Sequence, residues 1–342
     1  MQPAALPPPA LTLLVPGLLW PEPALSDTVF DLPLPALQTL LGRSHLIREP
    51  LDETNWWSRW TMAPLAPAAY RLLALDVAPE NDWLCADPVH LRFEQQSLVL
   101  EDPAGLVITR EESQRLAADI APLMAEFGTL HLTTDRHWHF QPHDGLPPFP
   151  PLLASLTGQP ARALLPDGTE NRPWRRLLNE IQMVLHQHPV NQAREAAGQA
   201  LINNLALWGG GRLPETVPTV PFTRLLSDEP FHAGLARHWQ IATDTLPDHY
   251  RADNGHTLAV CTQLTRPTLL RDAMNWREGL LALEAQWFAP VLKALNSGQL
   301  KSFQLVGFGT AEGETTCLTA TTTSLDRFKF WRRPRPLTEL HP

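Results

Sequence analysis

Three observations predict an α/β fold with a largely parallel sheet flanked by helices. Continuous apolar runs bounded by turn residues recur as buried-strand candidates at Leu11–Val15, Leu72–Val77, Thr257–Thr262 and Phe303–Phe308. Amphipathic stretches of helical period lie between them, the arrangement that builds parallel sheets. The 342 residues exceed one ordinary domain and leave room for a large core.

The elements follow in order. Leu11–Val15 reads as a buried strand closed by Pro16-Gly17, and Leu72–Val77 as a second. Between them Asn55-Trp56-Trp57-Ser58-Arg59-Trp60 is an aromatic cluster on a helix, suited to core packing, a lid or a binding platform. Asp82–Phe93 is a turn running into a strand, with Gln95-Gln96-Ser97 turning into Leu98–Leu100. Thr109 with Glu112 three residues on is a capping box, and Leu116, Ile120, Leu123, Met124 and Phe127 continue at helical spacing, with Pro122 as a kink. Short strands follow at Thr129–Thr133 and Arg136–Phe140, around a turn at Asp135. Pro147–Pro173 is proline-rich and aperiodic, hence loop. Trp174, Leu177, Leu178, Ile181, Val184 and Leu185 form one helix face; the chain turns at His188-Pro189-Val190-Asn191, and a second helix is expected from Ala193 to Trp208, ended by Gly209-Gly210-Gly211. A last helix spans Trp276–Asn296 and stops at Ser297-Gly298.

Composition narrows the function. A formal charge of -9 disfavours a general affinity for nucleic acid or anionic membrane. Cys85, Cys261 and Cys317 are widely spaced and form no CxxC, which fits a reducing cytoplasm better than a disulfide framework. Met1–Leu14 has no basic residue and no apolar run approaches 18 residues, so neither a signal peptide nor a membrane span is expected. The 35 prolines, about a tenth of the chain, accompany only 18 glycines and point to rigid turns and helix starts.

Candidate chemistry is sparse. His131, Asp135, His137, His139, His143 and Asp144 cluster, and His137 and His139, two residues apart, would share a strand face; they are either a weak zinc or iron site or hydrogen-bonded strand residues. His186 and His188 suit a helix C-terminus. No G-x-G-x-x-G, Walker A, H-E-x-x-H or G-x-S-x-G occurs. Near the C-terminus Arg327, Lys329, Trp331, Arg332 and Arg333 interleave with Phe328 and Phe330, the composition of a contact for single-stranded nucleic acid or an acidic partner, or of a tail docked on the body.

One set of motifs is more specific. Asp82-Trp83-Leu84-Cys85-Ala86-Asp87-Pro88-Val89-His90-Leu91, Asp102-Pro103-Ala104-Gly105 with Glu111-Glu112, His188-Pro189-Val190-Asn191 with Arg194 and Gly198, and Asn203-Asn204-Leu205-Ala206-Leu207-Trp208-Gly209-Gly210-Gly211 with Pro214 together resemble the bacterial regulatory proteins of pathogenicity factors, type E. The resemblance spans about residues 10 to 330. That family is similar, more distantly, to archaeal-type cofactor-independent phosphoglycerate mutases, which implies an alkaline-phosphatase-like α/β fold with an inserted smaller α+β region. On this resemblance residues 1–80 and 215–330 form the core, 81–214 the insertion and 331–342 a basic tail.

Enzymes of that superfamily hold two metals through Asp and His and use a Ser or Thr nucleophile. Here Pro16 stands where their first strand ends in a metal-binding Asp, and Gly309-Thr310-Ala311-Glu312-Gly313 replaces a late Asp-His pair. Ser44, Ser58 and Thr61 have no nucleophile motif around them. The resemblance therefore implies a metal-free, non-catalytic relative without a cofactor, with a cytoplasmic regulatory or ligand-sensing role. Its partner would be a protein or a small phosphorylated ligand, not a membrane or nucleic acid. His188, Asn191, Arg194, Asn203 and Trp208 would be a retained anion or interface site, or else caps and core. Two other functions stay open: a phosphoglycerate mutase or related metal-dependent phosphohydrolase, and an interaction protein acting through the basic-aromatic tail.

Overall fold

The computed structural model of the chain describes residues 8–21, 24–94, 96–311 and 314–340, with the backbone alone at 310, 311 and 314. Gln95 of the expected turn, and Glu312 and Gly313 of the segment after Phe308, lie outside the described residues. The chain folds as two compact units, Met1–Trp60 with Val217–Pro342, and Thr61–Thr216. It contributes β1 (Ala10–Val15) and β2 (His45–Glu49); then β3 (Trp83–Val89), β4 (Leu91–Glu94), β5 (Ser97–Leu100), β6 (Gly128–Leu132), β7 (Trp138–Pro142) and β8 (Asn204–Gly211); then β9 (Arg224–Leu226), β10 (Ala242–Asp244), β11 (His256–Val260), β12 (Ser302–Ala311) and β13 (Glu314–Thr323).

The first unit is a seven-stranded sheet in the order β10-β9-β11-β1-β12-β13-β2. The pairings from β10 through β12 are parallel, and β13 runs antiparallel to both its neighbours. β1 sits at its centre and is buried from Leu11 to Val15, as a strand covered on both faces must be. Leu11, Leu13 and Val15 pack in one core with Trp276, Leu280, Leu283, Trp287, Phe288, Val291 and Leu295 of the Ala273–Ser297 helical run. That run ends at Gly298 in the left-handed conformation, where the sequence places its stop. Its middle turn, Glu284–Phe288, is a π-helix. Buried Glu284 there accepts hydrogen bonds from the Ala36 (2.6 Å) and Leu37 (3.0 Å) N–H groups, capping the Pro35–Arg43 helix from outside.

The second unit is α+β. Its sheet, β6-β7-β3-β8, is antiparallel throughout. One face, carrying Leu84, Ala86, Trp138, Phe140, Leu205 and Leu207, packs on the Arg110–Met124 and Arg172–Gln187 helices. The other carries Trp83, Cys85, Ala206 and Trp208 against Ala68 and Leu72 of the Pro67–Ala74 helix. The Thr109–Glu112 capping box is present as expected. Proline occupies the first turn of the helices beginning at Pro35, Pro67, Arg172, Pro189, Pro230 and Ala289, so a substantial part of the proline excess starts helices.

Several expectations are corrected. Leu72–Val77 is not a strand: Pro67 starts a helix whose buried side takes Ala68, Ala69, Tyr70 and Leu72, and whose last turn consumes the apolar run. The second helix of the Asn191 region ends at Ala196, with Gly198 left-handed at φ +66°, and Leu205–Trp208 belongs to β8. A short buried strand and a buried helical turn carry the same apolar text, so periodicity could not separate them. Gly209–Gly211 therefore extends a strand; at Gly209 (φ +63°) a Cβ would lie 3.0 Å from the Pro67 ring. Residues 61–80 fall in the second unit because the Pro67–Ala74 helix packs on β3 and β8. Residues from 331 are not a separate tail: Leu337 and Leu340 enter the first unit's core, and the Arg335 N–H donates to Gln38 O.

Candidate functional site

The five residues singled out at His188–Trp208 are built into the second unit's framework. His188 caps the Pro189–Ala196 helix, its Nδ1 accepting from the Val190 N–H (3.1 Å) while Nε2 lies 3.2 Å from Asp119 Oδ2. Buried Asn191 donates to Leu185 O (2.7 Å) and Ile202 O (2.8 Å) and accepts from the Ile202 N–H (2.8 Å), so its amide imitates a strand partner. Buried Arg194 uses Nε on Ala200 O (2.7 Å), Nη1 on Glu112 Oε1 (2.9 Å) and Nη2 on Val107 O (3.0 Å). Asn203 pairs both ways with the Leu91 backbone, at 2.7 and 2.8 Å. These four hold loops and helix ends together. Trp208 lies elsewhere, on the opposite sheet face.

There it joins a charged cluster that sequence reasoning missed. Asp87 accepts from Arg71 Nη1 (2.8 Å) and Nη2 (3.0 Å), from Trp208 Nε1 (2.9 Å) and from the Trp138 N–H (3.1 Å). The Arg71 guanidinium also stands over the Trp208 ring at 5.5 Å. Strand register sets His131, His139, Cys85 and Trp208 in one row across β6, β7, β3 and β8. Burial works to raise Asp87, but the Arg71 charge and its hydrogen bonds outweigh it and keep the carboxyl below its ordinary range. Burial, then the Arg71 charge, push His139 down to about 3 and His137 to about 4, so both are neutral. Burial pushes the Cys85 thiol up, which makes it inert.

Of the histidine cluster, His139 lies within β7 with Nδ1 2.8 Å from Thr133 Oγ1, and His137 stands one residue before that strand, both within reach of the Arg71 and Asp87 charges. Among the described residues no group of three or more His, Cys, Asp or Glu has the geometry to hold a metal ion. Arg71 belonged to no motif and Asp87, inside the Asp82–Leu91 stretch, was given no role; the signal for a pair was a charged residue inside an otherwise apolar run in each case, Ala68–Leu73 and Leu84–Val89.

In the first unit, the carboxyl end of β1 is packed shut. Gly17 O accepts from Thr268 Oγ1 and Trp276 Nε1, both at 2.8 Å, and Pro16 O from Thr265 Oγ1 at 3.4 Å. Gly17 has φ +80°, and a Cβ there would sit 2.4 Å from Leu264 O. Leu18 and Leu19 fill the space beside Gly307 and Gly309 of β12. The hydroxyls of Ser44, Ser58 and Thr61 donate to Leu41 O, Thr54 O and Ala63 O. One Ser–His pair stands at the end of β9: Ser227 Oγ is 2.7 Å from His232 Nδ1 and accepts from the Glu229 N–H at 3.1 Å. Burial against Trp57 and Phe231 drives His232 down to about 3. Burial likewise lifts Glu53, near Glu229 and Asp52, to about 7.

Of the C-terminal residues, Arg327 donates to Asn296 O, Lys329 pairs with Asp326, and Arg332 donates to Ser44 O. Phe328, Phe330 and Trp331 stay exposed, at 57%, 81% and 68%. No helix among the described residues is long and apolar enough to cross a membrane.

No family model and no curated protein matches the chain, so the type E resemblance has no counterpart there. Among solved structures it is similar to the PH0037 protein from Pyrococcus horikoshii, at 12% identity over 97% of this chain and 92% of that one, with a TM-score of 0.49. It is also similar to a cofactor-independent phosphoglycerate mutase from Thermoplasma acidophilum DSM 1728, at 15% identity over 93% and 90%, with a TM-score of 0.45. At such values neither likeness assigns an activity or a residue role.

Proposed function

We propose that this chain is a non-catalytic regulatory or ligand-sensing protein of alkaline-phosphatase-like architecture. The supporting observation is the closed end of β1. A two-metal phosphoryl-transfer site needs carboxylates projecting into open space at that strand end. Here a proline and a glycine occupy the position, and their carbonyls are taken by Thr265, Thr268 and Trp276. In this reading His188, Asn191, Arg194 and Asn203 are framework for the second unit. The test is turnover of 3-phosphoglycerate and p-nitrophenyl phosphate by the purified chain with added manganese. No turnover is expected; manganese-dependent turnover lost on chelation would overturn the reading.

A second reading, an interaction protein, draws on the exposed rings of Phe328, Phe330 and Trp331 beside Arg327, Lys329 and Arg333. Apolar rings rimmed by cations suit an acidic partner. A polyglutamate peptide with interspersed aromatics should bind the wild type and lose affinity for Phe330→Ser/Trp331→Ser. Equal binding to both would remove this reading.

A further inference from the structure

A cavity of about 570 Å³ opens in the first unit beside the starts of β1, β9 and β11. It lies on the face where Arg224, Thr257 and Leu11 share one cross-strand row. Ligands of open α/β sheets ordinarily bind beyond the carboxyl ends of the strands. This cavity runs from the starts of β1 and β11 to the carboxyl end of β10, where Asp244 and residues 245–248 line it, and none of the residues closing the end of β1 lines it.

Three features make it a built site. Thr257 lines it, is only 6% exposed, and its Oγ1 has no hydrogen-bond partner among the described residues. A buried hydroxyl without a partner is costly, and a ligand would satisfy it. Tyr250 and Trp287 supply an aromatic wall, their ring centroids 6.3 Å apart. That wall is anchored, because the Tyr250 N–H donates at 2.8 Å to Gln286 O inside the π-turn, an irregularity common at functional sites. The charge on the lining is acidic. Asp244, Asp248 and Asp253 line it together with Arg224 and Arg251, and Arg224 is already held by Asp244 (2.8 Å) and Asp253 (3.0 Å). A phosphorylated acid would meet net repulsion, whereas an organic cation would be attracted.

We propose that this cavity binds a small hydroxyaryl amine: the ring lies against Tyr250 and Trp287, the ring hydroxyl donates to Thr257 Oγ1, and the ammonium is matched by the acidic lining. The proposal rests on the ligand-sensing reading for its purpose. Its test is independent, because manganese-dependent turnover bears on that reading while direct calorimetry bears on the cavity.

The probes are tyramine, tyrosol and 4-hydroxyphenylacetate, which share one body and differ in end charge, with phenethylamine as the amine lacking the hydroxyl. Titration calorimetry on the full chain should rank tyramine above tyrosol and tyrosol above the carboxylate. Thr257→Val conserves shape, so it should raise the ligand-free Tm while weakening tyramine about fivefold and leaving phenethylamine unchanged. Asp248→Asn should weaken tyramine about threefold and leave tyrosol unchanged. Absence of tyramine binding, equal binding of the carboxylate, or identical tyramine affinity in Thr257→Val would each overturn the proposal.

Discussion

Asp87→Asn isolates the buried charge cluster of the second unit. The carboxylate accepts four hydrogen bonds, two from Arg71 and one each from Trp208 and the Trp138 N–H. An amide of the same shape keeps one oxygen, and in either flip its NH2 faces N–H donors. Arg71 meanwhile keeps its charge with 4% of its side chain exposed. Breaking a buried pair from one side costs about 3–5 kcal/mol, most of it the stranded charge. At about 2 cal/mol/K per residue, spread over the Thr61–Thr216 unit, that lowers its Tm on the order of 10 °C. Differential scanning calorimetry and urea unfolding of the full chain measure this, with Arg71→Met and the double variant completing a cycle. The double variant removes the stranded charge, so it should be less destabilised than the sum of the singles by about 2 kcal/mol. A cost below about 1 kcal/mol for Asp87→Asn, or additive single effects, would refute the reasoning.

Other outcomes follow from the same geometry. His139 and His232 are held to about 3 in the fold, and an unfolded histidine titrates near 6.5. Between those values the unfolded state binds more protons, so stability is full above about pH 6.5. It should fall by about 1.4 kcal/mol per pH unit for each histidine on acidification, down to about pH 3; urea midpoints from pH 7 to 5 check this, and His139→Gln/His232→Gln should flatten the slope. Arg194→Ala should cost about 2–4 kcal/mol by freeing Ala200 O, Val107 O and Glu112 together, and Arg194→Lys should not restore it, since a point cation cannot span three acceptors. An Arg194→Ala chain with unchanged Tm would return that residue to the ligand-binding candidates. Gly17→Ala should destabilise by on the order of 3 kcal/mol in thermal melts, because its φ is positive and its Cβ would collide with Leu264 O.

What could be read in the sequence was local. The β1 strand, the Thr109–Glu112 capping box and the Gly298 stop are each specified by residues within a few positions of one another. β13 was missed because Thr315, Thr316, Thr319, Thr321, Thr322 and Thr323 dilute its apolar signal; its strand identity comes from pairing with β12 and β2. β9 and β10 are three residues each, too short for any period to register. The Leu205–Trp208 run was given to a helix because its real constraint lies about 120 residues away, in register with Cys85–Pro88 of β3.

The candidate site failed to assemble for a related reason. His-Pro-Val-Asn-x-x-Arg is equally good chemistry for holding an anion and for capping a helix, and the two differ only in where the partners stand. Asn191 meets Ile202 eleven residues on, and Arg194 meets Glu112 across 82 positions, so the decisive acceptors are absent from the local text. Pro16 presents the opposite case. Its lack of a carboxylate was legible at once, but only the fold adds that Thr265, Thr268 and Trp276 close over the same strand end. Restoring the acid alone, as Pro16→Asp, would therefore place a charge beside a packed and hydrogen-bonded turn rather than in an open metal site. The loss at this position is a loss of space as well as of a ligand, and reversing it would require rebuilding the Leu264–Leu269 segment along with residue 16.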